Sequence, residues 1–152
     1  MASPQTLCDM YFLPKFPPES PLPGVRSGQY SLQKQKPTVL IVDDESLIAD
    51  TLAEILNESG FEATAVYDGK TALEQVRHLC PDAMIADVIM PDMNGIEVAK
   101  AVRDTCADTR IFLLSGQAAT TDLVERARSE GYSFELLAKP LHPELLLKKL
   151  SQ

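Results

Sequence analysis

No apolar run in the chain approaches the ~18 consecutive positions that a bilayer-spanning helix needs. Residues Met1 to Phe16 lack both a basic n-region and an unbroken apolar stretch, so they do not read as a secretory signal, and a cytoplasmic location is expected. Cysteine is sparse. Cys8, Cys80 and Cys106 stand at unrelated spacings without a CxxC, and the two histidines, His78 and His142, lie far apart. A zinc site therefore has little support, and reduced core or surface thiols are expected. An excess of basic charge is also missing: 14 Lys and Arg face 22 Asp and Glu, for a net charge of −8. A chain of that sign is repelled by phosphate backbones and anionic lipid, which makes nucleic acid and membrane surfaces poor partners.

What is present fits an ordinary globular protein. With 152 residues, 45% hydrophobic and 24% charged, the chain matches one folded domain rather than a fibrous or fully disordered protein. The composition nevertheless shifts near residue 37. Pro4, Pro14, Pro17, Pro18, Pro21, Pro23 and Pro37 are seven of the 11 prolines, and no apolar periodicity survives among them. Residues 1–37 read as a solvated, extended or disordered leader, with residues 38–152 as the folded domain.

From Thr38 the pattern changes. Thr38-Val-Leu-Ile-Val-Asp43 is a short β-branched run ending in an acid, as in a strand buried on both faces. Ile48, Leu52, Ile55 and Leu56 then mark a helix that Gly60 stops. Phe61 to Val66 alternates like a strand, and Asp68 suits the cap of a helix carrying Ala72, Leu73, Val76 and Leu79. Further strands are predicted at Asp82 to Asp87, Arg110 to Ser115 and Phe134 to Ala138. Ile96, Ala99 and Val102 mark one intervening helix, and Leu123, Val124 and Ala127 mark another, closed by Gly131. Pro143 opens the last, with Leu146, Leu147 and Leu150. Strands alternating with helices imply a doubly wound α/β domain: a five-stranded parallel sheet covered on both faces.

In such a sheet the functional crevice lies beyond the carboxyl ends of the strands. The first strand ends in Asp43-Asp44, the third in Asp87, the fourth in Ser115 and the fifth in Lys139-Pro140. Each alone would be a turn residue, a helix cap or a solvated lysine; their convergence on one edge is the specific signal. The turn after the first strand is Asp-Asp-Glu-Ser, without the glycines that would cradle a nucleotide phosphate. Dinucleotide and flavin cofactors are thereby disfavoured. Three crowded aspartates repel one another, and a hard divalent ion such as Mg²⁺ relieves that repulsion while keeping sites open for phosphate. One carboxylate can then act as a nucleophile and form an acyl phosphate. A lysine offsets the developing charge, and a small hydroxyl bonds a phosphoryl oxygen. Asp87, Lys139 and Ser115 suit those three roles.

The segments Val42-Asp43-Asp44-Glu45, Asp87-Val-Ile-Met-Pro-Asp-Met-Asn-Gly95, Leu114-Ser115-Gly116 and Ala138-Lys139-Pro140 occur in order. Over residues 38–150 the chain thus resembles the receiver domain of two-component response regulators, single-domain chemotaxis-type regulators included. The resemblance implies a flavodoxin-like (βα)5 fold with Asp87 as phosphoacceptor, charged by a sensor histidine kinase or a histidine phosphotransfer protein. It implies that Asp43 and Asp44 hold Mg²⁺ with Asp87 and the backbone carbonyl of Ile89. It implies that Ser115 is the switch hydroxyl and Lys139 the phosphate-contacting lysine, preceding a proline bond that is commonly cis in the family. Ile89 and Gln117 would flank the approach of a hydrolytic water.

One position departs from the family pattern. Three residues before the lysine, where an aromatic is usual, stands Leu136, with Phe134 and Tyr132 further upstream. Leucine lacks the aromatic's surface and polar tip as a reporter of phosphorylation. Only Ser151 and Gln152 follow the last helix, so output is expected through contact with an unidentified downstream protein or by onward phosphotransfer. Self-phosphorylation and autodephosphorylation would be the domain's only chemistry. Two competing readings are a pseudo-receiver that docks partners without phosphorylation and an aspartyl phosphatase. The second wants an acid two residues after the nucleophile, where Ile89 stands.

Overall fold

A computed structural model describes residues 34–116 and 120–152. The proline-rich leader read for residues 1–37 lies outside the described residues apart from 34–37, which form an exposed lead into the first strand. The chain then runs β1 (Thr38–Val42), α1 (Ser46–Glu58), β2 (Glu62–Val66), α2 (Gly69–His78), β3 (Ala83–Asp87), α3 (Gly95–Thr105), β4 (Arg110–Ser115), α4 (Thr120–Ser129), β5 (Glu135–Ala138) and α5 (Pro143–Leu150).

The strands pair in parallel in the order β2-β1-β3-β4-β5. From β1 the chain winds outward to β2, then crosses back to β3 and continues the other way. The strand order therefore reverses between β1 and β3. That reversal makes the carboxyl ends of β1 and β3, at Val42 and Asp87, the topological switch point of the sheet.

Both faces of the sheet are covered because successive side chains in β1 alternate between two cores. Leu40 and Val42 pack with Met84, Ala86, Ile111 and Leu113 against α2, α3 and α4. Val39 and Ile41 pack with Ile85, Phe112 and Leu114 against α1 and α5. Burial on both sides explains why β1, β3 and β4 read as continuous apolar runs rather than alternating ones.

The helix boundaries follow the local chemistry. At α2 the Asp68 carboxylate accepts the Thr71 N–H at 2.7 Å. At α3 the Asn94 side chain accepts the Ile96 and Glu97 N–H groups while Glu97 accepts from Asn94 N–H, a reciprocal capping box. Gly60 and Gly131, read as stop residues, both have φ of +95°, a conformation that side chains with a Cβ resist.

The cysteines require a correction. Cys80, in the α2–β3 connection, and Cys106, at the C-cap of α3, form a disulfide with Cα atoms 5.7 Å apart. The pair is separated by 26 residues and carries no recognisable spacing. The topology alone brings it together, by setting the entry of β3 beside the exit of α3. Cys8 lies outside the described residues.

Candidate functional site at the carboxyl edge of the sheet

Asp43 and Asp44 follow β1, Asp87 ends β3, Ser115 ends β4 and Lys139 follows β5. Parallel register brings all of these strand ends to one edge, where the carboxylates of Asp43, Asp44 and Asp87 cluster and Lys139 reaches Asp87. One oxygen from each of Asp43, Asp44 and Asp87 lies within 4.8 Å of the others.

Asp87 is largely buried, and both its oxygens are engaged. Oδ1 accepts the Ile89 N–H at 3.2 Å and Oδ2 accepts from Lys139 Nζ at 2.8 Å. Asp43 is fully buried. Its Oδ1 accepts the Glu45 N–H at 2.9 Å, whereas its buried Oδ2 has no hydrogen-bond partner and stands 3.7 Å from Lys139 Nζ. Asp44 is exposed at the mouth of the site.

Burial is the chief cause that pushes the Asp43 carboxyl above the ordinary aspartate range. The Glu45 N–H and Lys139 oppose this, and the charges of Asp87 and Asp44 add to it. For Lys139, burial by itself would lower the pKa. The hydrogen bond and charge of Asp87, with the charges of Asp43 and Glu45, outweigh it and raise the ammonium above the usual lysine value. The site thus couples a carboxylate that resists ionisation to a cation that is locked on.

The backbone contributes as much as the side chains. Lys139 N–H donates to Ser115 C=O at 2.9 Å, one step past the β4·β5 ladder, and the Lys139–Pro140 bond is cis, as the resemblance implied. On the opposite side, the loop after β3 folds tightly over the strand end. Gly95 N–H donates to Val88 C=O at 3.0 Å, and a Cβ built on Gly95 would lie 2.1 Å from the carbonyl oxygen of Asp87. Only glycine lets α3 begin so close to the aspartate.

Two features escaped the sequence reading. The Ser115 hydroxyl is hydrogen-bonded to that of Thr120, the buried first residue of α4. A Ser and a Thr five apart are unremarkable in sequence, and only the return of the chain into α4 joins them. The contribution of Ile89 made visible by hydrogen bonding is its N–H to Asp87, while its side chain is 47% exposed. Gln117 lies outside the described residues.

Leu136 is 43% exposed and belongs to neither core. The upstream aromatics do not take its place. Tyr132 and Phe134 stack with ring centroids 6.0 Å apart and pack on the α2–α3–α4 side, and the Tyr132 hydroxyl donates to the Asp104 carboxylate.

Comparison with known proteins agrees with this geometry. A family model described as the response regulator receiver domain matches residues 39–151. The DNA-binding response regulator MtrA of Mycobacterium tuberculosis is 32% identical over 112 residues, which cover 74% of this chain and 48% of MtrA. The response regulator MprA of Mycobacterium ulcerans is 31% identical, with 74% and 47% covered. The chain therefore spans about half the length of these curated relatives. Among solved structures, the chemotaxis protein CheY4 of Vibrio cholerae superposes with a TM-score of 0.68 at 33% identity, covering 76% of this chain and 97% of CheY4. A response regulator from Chloroflexus aurantiacus gives 0.66 at 31% identity, with 77% and 96% covered.

Proposed function

The chain belongs to the response regulator receiver domain family, and on that premise we propose that Asp87 accepts a phosphoryl group within a two-component phosphorelay. The observation that carries this reading is the Asp87 carboxylate, held by Lys139 beside the buried Asp43 carboxylate, whose Oδ2 lacks a hydrogen-bond partner. The donor is the phosphohistidine of a sensor histidine kinase or of a histidine phosphotransfer protein. A carboxylate oxygen of Asp87 attacks phosphorus, the P–N bond breaks, and its electron pair leaves with the imidazole nitrogen. The product is an acyl phosphate on Asp87.

The residues around Asp87 have separable tasks. Ile89 N–H orients the carboxylate through Oδ1. Lys139 passes from Asp87 Oδ2 to a phosphoryl oxygen, and its raised pKa keeps it charged while it does so. Ser115 leaves its Thr120 partner to donate to another phosphoryl oxygen. That exchange offers a route by which phosphorylation shifts α4 between two arrangements.

Asp43, Asp44 and Asp87, with the Ile89 carbonyl, would hold Mg²⁺. The fit rests on the clustered carboxylates and on the buried Asp43 Oδ2, which has no hydrogen-bond partner. When bound, the ion supplies positive charge against the carboxylates and the incoming phosphoryl oxygens. We place the receiver at residues 38–152 and the protein in the cytoplasm; among the described residues no helix is long and apolar enough to cross a membrane. The signal leaves by protein–protein contact or by onward phosphotransfer.

Beryllofluoride with Mg²⁺ tests the site without a donor, since the adduct imitates an acyl phosphate. Amide resonances around Asp87, Ser115 and Lys139 are expected to shift in the wild type and not in Asp87→Asn. An unchanged wild-type spectrum at saturating reagent would contradict the proposal.

A further inference from the structure

The disulfide lies at the other end of the strand that carries Asp87. Cys80 precedes β3 by a short turn, and Asp87 is the last residue of β3. The loop from residue 88 to 94 then leads into α3, whose C-cap is Cys106. The Cys80–Cys106 bond consequently closes a covalent ring that contains Asp87, Ile89 and the whole of α3. We infer that this pair is a reversible thiol–disulfide site, and that its oxidation state sets how firmly the segment carrying Asp87 is held.

Three observations carry the inference. Cys80 is exposed while Cys106 is buried, so the Cys80 side of the bond is the more open to an external thiolate. An open cleft lined by Pro81, Asp82, Asp108 and Thr109 leads to the bond. The two loops are also joined without the sulfurs: Thr109 Oγ1 donates to Pro81 C=O at 2.7 Å and Arg110 N–H to Asp82 C=O at 3.0 Å. Reduction therefore leaves the thiols as neighbours, ready to re-form the bond. A disulfide open to solvent at one of its two cysteines is accessible to exchange, as labile, regulatory disulfides are.

The exchange balances with a dithiol as reductant. Its thiolate attacks Cys80 Sγ, the S–S bond breaks, and Cys106 leaves as a thiolate that takes a proton from solvent. The second thiol of the reductant then attacks the mixed disulfide and releases Cys80. Two electrons and two protons have passed to the protein, and the reductant is left as a disulfide. Oxidation runs the reverse course with a low-molecular-weight disulfide as acceptor.

The test uses the full chain carrying Cys8→Ser, so that only this pair reports. The folded protein is equilibrated with excess reduced glutathione plus a thioredoxin-class dithiol, or with oxidised glutathione, then unfolded in denaturant, alkylated with maleimide and weighed intact. Two adducts are expected after reduction and none after oxidation, with full interconversion when the buffers are exchanged. Amide hydrogen exchange in residues 88–106 should be on the order of tenfold faster in the reduced protein. In single variants, Cys106→Ser should form a glutathione adduct at Cys80, and Cys80→Ser should leave Cys106 unmodified in the folded state. The inference is overturned by a bond that resists reduction in the folded protein, by two adducts after oxidation, or by identical exchange in both states. None of these readouts depends on phosphorylation, so this inference and the proposal for Asp87 fail separately.

Discussion

Lys139 Nζ spans the end of β4 to donate to Asp87 Oδ2 at 2.8 Å, tying the edge strand β5 to the central strand β3. The same ammonium stands 3.7 Å from the buried Asp43 Oδ2, so one side chain offsets two carboxylates. Lys139→Met should lower the rate of phosphorylation by acetyl phosphate by roughly 10²-fold, the usual cost of losing one charge-stabilising donor. The sign of the pH dependence follows from the raised pKa of Lys139. Its contribution to stability is fully present below the ordinary lysine value and is lost only as pH rises through the higher folded value. Phosphorylation rates measured from neutral pH into the alkaline range should stay level up to that point. A rate unchanged by Lys139→Met would remove the lysine from the chemistry.

Asp43 should trade stability for function. Burial holds its carboxyl above the ordinary range, so its ionised form opposes folding at neutral pH and the penalty is relieved as pH falls through the folded value. Asp43→Asn should therefore stabilise the protein by on the order of 1 kcal/mol and raise Tm by about 3 °C. Mg²⁺ at tenfold its Kd should stabilise the wild type by about 1.4 kcal/mol and this variant hardly at all. Calorimetry with and without the ion decides both points.

Much of this was legible from one sequence, for physical reasons. Thr38–Val42 could only be a doubly buried strand, because five apolar or β-branched residues in a row leave no polar face. Gly60, Asp68 and Gly131 marked helix ends through local chemistry that tertiary packing did not override. The site was legible because parallel strands deliver their last residues to one edge, so the strand ends could be read as a group. The Ser115–Thr120 hydroxyl pair and the Cys80–Cys106 bond were not legible. Both depend on where the chain returns after a connection, and neither spacing carries a local signal. The exposure of Leu136 was equally hidden, since an edge-strand side chain in neither core leaves no periodicity to read.

Gly95 tests the close approach of α3 to Asp87. A methyl group there would meet the Asp87 carbonyl oxygen at 2.1 Å, a distance that only a backbone shift can relieve. Gly95→Ala should cost about 2–3 kcal/mol in chemical denaturation, as overpacking does. It should also slow phosphorylation, because the shift falls on the loop that begins with Val88 and Ile89. Full stability together with full activity would show that the loop has more room than the contact implies.

Asp68 tests a helix cap whose hydrogen bonds run to Thr71 rather than to the Asp87 cluster. Its backbone hydrogen bond with Thr71, reinforced by the Thr71 hydroxyl, holds its carboxyl below the ordinary range. The capping contribution is thus present above the unfolded aspartate value and is lost as pH falls through the folded one. Asp68→Ala should cost about 1 kcal/mol at neutral pH and much less in strong acid. Phosphorylation of Asp87 should be unaffected. Urea titrations at both pH values check the sign.

The central claim is that Asp87 carries the phosphoryl group, and intact mass measures it most directly. Wild type and Asp87→Asn are incubated in parallel with acetyl phosphate, with and without Mg²⁺, and weighed. One added phosphoryl group is predicted on the wild type with Mg²⁺, and none on the variant or in the metal-free sample. A phosphoryl group on Asp87→Asn would place the acceptor elsewhere. A wild type that gains no mass and also fails to bind beryllofluoride would contradict the account.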